Sequence, residues 1–275
     1  MNRNRVLLGA VAVLIVVVAG WWLFDSVLGD TQLASGPMTA IPIAVQPTSA
    51  PEATAAPADP TPAPPAETTA APTATPAPIA PTEAPTMPPA DTAPNEVIRY
   101  RIAADESEVS YKLSEDLRGQ RVEVIGTTNQ VAGELAVNPS NLTTAQIGVI
   151  RVNARTFATD SSNRDRATRN FILNTDQYEF ITFTPTAIEG LSGSGTLDQP
   201  FTFTIRGDLT IRDITRPVVF EATVRAESAE RLVGAATTTV KRSDYNLQIP
   251  SVPFVANVSD EVVLTIEFVA LAATQ

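Results

Sequence analysis

The sequence predicts an all-β domain, an antiparallel barrel of about eight strands with one helix, or else a strongly bent sandwich. Three observations carry this. Apolar and polar residues alternate with period two through most of residues 96–275, the mark of strands with one buried face. Helical spacing is convincing in one stretch only, residues 159–173. The strands succeed one another through turns, without the strand–helix–strand crossovers that a parallel sheet requires.

Composition divides the chain into three parts. Residues 6–24 (VLLGAVAVLIVVVAGWWLF) are an unbroken apolar run, close to the roughly twenty residues needed to cross a bilayer as a helix. Arg3 and Arg5 precede the run, and Asp25 and Asp30 follow it. The positive-inside rule therefore puts the N-terminus in the cytoplasm and the rest outside, a single-pass protein of the cell membrane. The run is longer than the apolar part of a usual signal peptide and no clear A-x-A site follows it, so residues 1–30 read as an uncleaved anchor. Residues 31–95 are mostly Pro, Ala and Thr and hold seventeen of the 23 prolines. Such a stretch buries too little apolar side chain to offset chain entropy, and a disordered linker holding the domain off the membrane is expected. Residues 96–275 form the folded domain, large enough for one core.

Within that domain residues 97–102 and 109–113 read as the first strands, joined by an acidic turn at 105–108. Residues 121–128 and 130–138 follow, with Gly126 and Gly133 placed where a wall bends or another backbone comes close. Residues 145–153 (AQIGVIRVN) are apolar on both faces, which calls for a cover on the outside, and the following segment is the expected cover. That segment is the helix at 159–173, with Asp160 or Ser161 as its cap and Ala167, Phe171 and Ile172 as its apolar stripe. Residues 178–187 return to strand, with Ile181 and Phe183 facing in and Pro185 ending it. Residues 201–224 make a long hairpin, Phe201, Phe203, Ile205, Leu209 and Ile211 facing Val218, Phe220, Ala222 and Val224 across a turn at 213–216. Residues 231–241 are a strand of small residues, Gly234, Ala235 and Ala236, which leaves room beside it. Residues 262–268 close the sheet. Residues 243–257 (SDYNLQIPSVPFVAN) place unusual apolar weight in a Pro-broken loop, either the lip of a cavity or a plug filling the end of the barrel.

Charge and residue types exclude much. The chain carries a net charge of −11, with no basic stripe to hold a polyanion, so nucleic acid is not expected as a partner. It contains neither cysteine nor histidine. That removes disulfides, thiol catalysis, the usual zinc sites and Ser-His-Asp chemistry. No spacing proposes a carboxylate pair or a Ser-Lys pair, so no catalytic residues are assigned, and the acidic turn reads as solvated rather than as a calcium site.

Four segments together resemble a known family. Gly207, Leu209, Thr210 and Ile211 with Thr215, Pro217 and Val218 resemble the G-x-L-T-I-x-x-x-T-x-P-V signature of the YceI-like family. Lys241-Arg242-Ser243-Asp244-Tyr245 is similar to its K-R-S-D-F/Y segment, Asn163-Arg164-Asp165 to its helix region, and Tyr100, Ile102, Ser107 and Val109 to its opening strand. Where the family usually carries histidines in its first turn and following strand, this chain has Glu106 and Glu115. The resemblance implies a lipocalin-like barrel that binds an isoprenoid or similar long-chain lipid without acting on it chemically, a quinone-like lipid among the candidates, with no separate cofactor. In such a barrel, strand parity makes Tyr111, Phe157, Phe171, Phe183, Phe201, Phe203 and Phe220 the candidate lining, with Arg164, Asp165, Arg242 and Asp244 as polar or structural contacts. The alternative is a solidly packed barrel serving as a display or adhesion module.

Overall fold

The hairpin at the centre of the sequence is also the centre of the structure, a computed structural model that describes residues 33–43 and 96–273. Strand β9 (Phe201–Ile211) buries Phe203, Ile205, Gly207, Leu209 and Ile211 in strict alternation. Gly207 holds its place because a Cβ there would lie 2.5 Å from the Thr184 carbonyl oxygen and 2.6 Å from the Phe183 ring. Ile211 pairs directly with Ile214, so the turn is the two residues Arg212 and Asp213, tighter than the expected one at 213–216. Arg212 takes the left-handed conformation such a turn requires. Strand β10 (Ile214–Ser228) then carries Pro217 inside it. At that point β10 pairs with β9 alone, its pairing with the next strand beginning at Glu221, so the missing N–H costs no ladder bond on the free side.

The remaining strands extend this hairpin both ways. They are β1 (Ile98–Ile102), β2 (Glu108–Leu117), β3 (Gln120–Thr128), β4 (Val131–Ala132), β5 (Glu134–Val137), β6 (Gln146–Ile147), β7 (Ile150–Asn153), β8 (Phe180–Glu189), β11 (Arg231–Lys241), β12 (Val255–Ala256) and β13 (Glu261–Ala272). All named strand pairs are antiparallel. β8 and β11 flank the hairpin; β7 joins β8, and β13 joins β11 along its length. The far edge of β13 is shared, with Val263–Glu267 pairing β2 and Ala270–Ala272 pairing β1. β3, β4 and β5 follow one another and pair with β2, β7 and β1 respectively. The result is an antiparallel sheet curled on itself, with one helix.

Among the described residues thirteen strands appear where about eight were expected. Breaks at Gly133 and at the pair Gly148 and Val149 divide two expected runs, and the short β12 forms within the loop expected at 243–257. Pro185 does not end its strand; β8 runs on to Glu189 and absorbs the proline at a bulge between Pro185 and Ala187. The small residues of β11 leave no void at Gly234 either, because a Cβ there would meet the Thr223 carbonyl at 2.8 Å and Val224 at 2.9 Å.

The helix α1 covers Ser162–Ala167 and continues as a π-helical turn, Thr168–Ile172, in which the Leu173 amide donates to the Thr168 carbonyl at 2.8 Å. Neither Asp160 nor Ser161 caps it by side chain. Instead the Asp165 carboxylate accepts from the Thr159 amide at 2.8 Å and the Thr159 hydroxyl at 2.7 Å. The π turn inserts a residue into the register, so Ala167 and Ile172, five apart, share the inner face while Phe171 is turned out. This overturns Phe171 as a lining residue.

Among the described residues no helix is long and apolar enough to cross a membrane. The apolar run at 6–24 and residues 44–95 of the expected linker lie outside the described residues. Residues 33–43, also assigned to the linker, lie as a strap along β5–β7. The Ser35 amide and hydroxyl each donate to the Glu179 carboxylate at 2.7 Å, and Arg155 Nη1 donates to the Leu33 carbonyl at 3.0 Å. At the other end the Ile43 amide donates to Glu134 Oε2 at 3.0 Å, and the Ile43 side chain sits over Gly148. The outer cover of the doubly apolar strand is therefore this strap, not the helix.

Both carboxylates under the strap are held below the usual glutamate range. Burial opposes ionisation of Glu134, but the bonds from Arg101 Nε, at 2.8 Å, and the Ile43 amide overcome it. Burial likewise opposes ionisation of Glu179, which Ser35, Arg155 and Asn153 reverse. A carboxylate whose folded pKa is lowered stabilises the folded arrangement above its ordinary pKa and ceases to do so as pH falls through the lowered value. Protection of the Ser35 and Ile43 amides in hydrogen exchange should therefore be full at neutral pH and decay only below about pH 4.3, the ordinary glutamate value. Protection unchanged well below that pH would mean the carboxylates do not hold the strap.

Candidate functional site

One end of the curled sheet is hollow. At the end where β2, β7, β9, β11 and their connections to α1 and the 242–260 loop meet lies a cavity of about 530 Å³. Its walls are Tyr111, Leu113 and Val124 from β2 and β3, Ala167, Thr168 and Ile172 from the helix, and Val240, Val262 and Leu264 from β11 and β13. The loop after β11 supplies the lip, with Leu247, Ile249, Pro250, Val252, Pro253 and Phe254 all facing it. The loop is a lip rather than a plug. A second cavity of about 130 Å³ lies deeper, among Phe183, Phe203, Phe220, Leu209 and Phe268. Phe157, Ile181, Ile211 and Leu264 line both, and so form the neck between them.

Five of the seven aromatic residues expected from strand parity face these cavities, in two distinct ways. Tyr111 and Phe157 meet edge to face at 5.3 Å at the base of the mouth. Phe183, Phe203 and Phe220 surround the deep cavity and belong to the principal core cluster, with Phe183 and Phe220 edge to face at 4.9 Å. The deep half is therefore nearly filled by the protein, and the open volume is at the mouth. Phe201 lines neither cavity; it is half-buried against the core cluster, at the far end of β9 opposite Val224. The aliphatic wall of Leu113, Ile181, Ile211, Val240, Val262 and Leu264 adds to this lining; the sequence placed Ile181 and Ile211 on inward strand faces without assigning them to the site. Leu113 shares the face of Tyr111, as the alternation in residues 109–113 predicts, and that shared face is the signal for its place in the wall.

The position of Tyr111 depends on Gly126, directly opposite it on β3. A Cβ on Gly126 would lie 2.3 Å from the tyrosine ring. A Gly126→Val chain should therefore displace the ring into the mouth, costing about 1–3 kcal/mol as overpacking and reducing ligand capacity. A denaturant titration and a lipid-binding assay on the same variant measure the two effects.

The polar groups at the mouth are engaged with one another. Arg164 Nη2 donates to Glu115 at 3.0 Å, tying α1 to β2, and the same guanidinium pairs with Asp160. Asp165 is taken up by Thr159, as described above. Arg242 donates through Nη1 to the Leu247 carbonyl at 3.0 Å and through Nε to the Ser259 carbonyl at 3.2 Å. It thus fixes the lip at both ends. Ser243 donates its amide and hydroxyl to the Asp260 carboxylate, and the hydroxyl bond foremost keeps that carboxyl below its usual range. The Asp244 side chain is exposed, and only its carbonyl is used, accepting from Arg216 Nε at 3.1 Å. Arg164 and Arg242 thus line the cavity while bonded to protein partners, and Asp165 and Asp244 do not line it. The acidic residues of the first strands are likewise dispersed, with Glu106 on Arg231, Asp116 on Arg121 and Glu115 on Arg164.

Two phenols complete the site. Burial raises the Tyr111 pKa, and burial pushes that of Tyr245 up to about 12. Both stay neutral across the physiological range. Tyr245 is 1% exposed, and its hydroxyl has no hydrogen-bond partner among the described residues.

A curled antiparallel sheet with a mainly apolar chamber at one end, its charged lining residues Glu115, Arg118, Asp160, Arg164 and Arg242 set among aliphatic and aromatic walls, has the shape to enclose an apolar molecule. The chain belongs to the family of the YceI-like domain, whose model matches residues 100–270. A UPF0312 protein of Vibrio cholerae is 25% identical over 130 residues, 45% of this chain and 65% of that protein. A UPF0312 protein of Ectopseudomonas mendocina is 28% identical over 148 residues, 52% of this chain and 72% of that protein. Among solved structures, a polyisoprenoid binding domain from Saccharophagus degradans, implicated in plant cell wall breakdown, matches with a TM-score of 0.51 and 13% identity. That match covers 65% of this chain and all of the other, and it concerns the fold.

Proposed function

We propose that this protein is a membrane-tethered, extracytoplasmic carrier or sequestering protein for an isoprenoid or similar long-chain lipid, which it binds without chemical change. Counted as continuous runs, β1 with β2, β3 to β5, and β6 with β7 join β8, β9, β10, β11 and β13 as eight staves, and we read the curled sheet as a closed lipocalin-like barrel. The observation that carries the reading is the mouth cavity of about 530 Å³. That volume falls within the roughly 300–1,000 Å³ of sites that enclose small ligands, whereas an eight-stranded barrel packed by its own side chains has no such space.

The ligand's tail would lie among Leu113, Ile172, Val240 and Leu264, reach the neck at Phe157, and gain roughly 0.8 kcal/mol for each methylene withdrawn from water. The apolar run at 6–24 supports the tether, and the Saccharophagus domain's description as polyisoprenoid-binding supports the lipid class. Organic extraction of the purified full chain followed by mass spectrometry should release one long-chain lipid species. A chain that carries none, and takes up none when offered prenyl lipids, would refute the reading.

A further inference from the structure

The strap fixes which end of the barrel lies nearest the point where the chain leaves the described structure. Leu33 is bonded to Arg155, just beyond the end of β7, and Ser35 to Glu179, just before β8. Those junctions flank the segment that contains α1, at the end of the sheet from which the mouth cavity opens. Ile43, by contrast, lies over Gly148 and Glu134 at the opposite end of the same strands. The strap therefore runs from the mouth end to the far end. Eight residues, 25–32, separate Leu33 from the apolar run, and fully extended they reach at most about 29 Å. An eleven-residue strand such as β9 is itself about 36 Å long. The leash is shorter than the barrel, and it is attached at the mouth.

The rim at that end has the surface a bilayer would require. Phe254 is 74% exposed and Val252 43%, both on the lip, with Leu117 beside them on β2, where β12 pairs, and Phe171 turned outward on the helix. Phe254 is held in the left-handed region at φ 68°, an unfavourable conformation for a bulky side chain, with its carbonyl accepting from the Arg118 amide at 2.8 Å. An aromatic ring kept in solvent by a strained backbone is the opposite of what burial alone would select. The Arg118 guanidinium lies 6.0 Å from the centre of that ring, where it can meet lipid phosphates while the ring enters the apolar layer.

Resting on the tethered-carrier reading, we infer that the mouth rim, with Phe254 and Val252 foremost, docks on the outer surface of the anchoring bilayer, so that the lipid passes between membrane and cavity without crossing water. Residues 44–95 of the Pro-rich stretch then do not hold the barrel away from the membrane, because residues 33–43, which precede them, are already bonded to the domain.

The native chain contains no cysteine, so single labels can be placed cleanly. Full-length Phe254→Cys and Ala229→Cys chains, the latter in the exposed β10–β11 turn at the far end, would carry an environment-sensitive fluorophore. Both would be reconstituted into phosphatidylcholine vesicles that contain a fraction of lipid with a quenching group near the headgroup. The inference expects the chain to float with the vesicles, and the label at 254 to shift to the blue and lose emission, while the label at 229 does neither. Flotation with equal quenching at both sites, or with stronger quenching at 229, overturns the rim docking and leaves the tether intact. A chain that does not float at all overturns the tether reading, and this inference with it.

Discussion

Replacing Phe220 by alanine should cost about 3–5 kcal/mol of folding free energy and leave lipid binding at the mouth largely in place. Phe220 is buried on β10, meets Phe183 edge to face at 4.9 Å, and belongs to the core cluster that also holds Phe203, Leu209 and Ile211. Truncation removes the transfer free energy of a phenyl ring and leaves a void that β10, tied to β9 along its length and to β11 from Glu221 onward, cannot close. The urea midpoint measures the loss. A cost below about 1 kcal/mol would show that the deep half of the barrel is a loose slot and not a packed core. The same experiment separates the carrier from a merely structural module, because in the carrier the stability and the binding reside in different halves of one barrel.

The second large effect is expected at the ion pair between helix and barrel. Glu115 is a buried carboxylate on β2, and its hydrogen-bond partner among the described residues is Arg164, at 3.0 Å. An Arg164→Met chain leaves that carboxylate desolvated and unpaired, and loss of one member of a buried pair typically costs about 3–5 kcal/mol. Arg164 keeps part of its surface in water, so a value near the lower end, about 3 kcal/mol, is expected. Because α1 forms one wall of the mouth, lipid affinity should fall together with stability. The double variant Glu115→Leu/Arg164→Met removes both charges and should recover most of the loss in a double-mutant cycle. A double variant as unstable as the sum of the two single changes would mean that the two groups act independently and the pair does not position the helix.

Much of this architecture could be read from the chain because one face of each strand is buried against a single core. The alternation in 201–211 survives intact in β9, and Gly207, which interrupts the apolar series, keeps the register through its close approach to Thr184 and Phe183. Breaks within strands were harder to see, since whether a glycine bends a strand or ends it depends on what stands opposite. Phe171 was misplaced for a related reason: a π turn rotates the side chains after it, and no local propensity announces one. The motif at 241–245 was visible, but its role was not. Arg242 and Ser243 act on Leu247, Ser259 and Asp260, groups brought near only by the returning chain. The strap at 33–43 was hidden by its composition. Pro37 and Pro42 give it the look of the linker that follows, although Leu33, Met38, Ile41 and Ile43 make it more apolar, and most of its anchoring comes from backbone groups and one hydroxyl bonded to side chains at 134, 155 and 179.

The carrier reading depends on the mouth cavity accepting a lipid tail, and Ala167 offers a way to close it. This residue faces the chamber from the helix, so Ala167→Trp should fill the space with little disturbance of the core around Phe203 and Phe220. Delipidated full-length protein is titrated with a long-chain prenyl alcohol, and the stoichiometry is read by native mass spectrometry. One lipid bound per native chain and none per Ala167→Trp chain is the predicted result. Equal binding by both, or binding by neither, would contradict it.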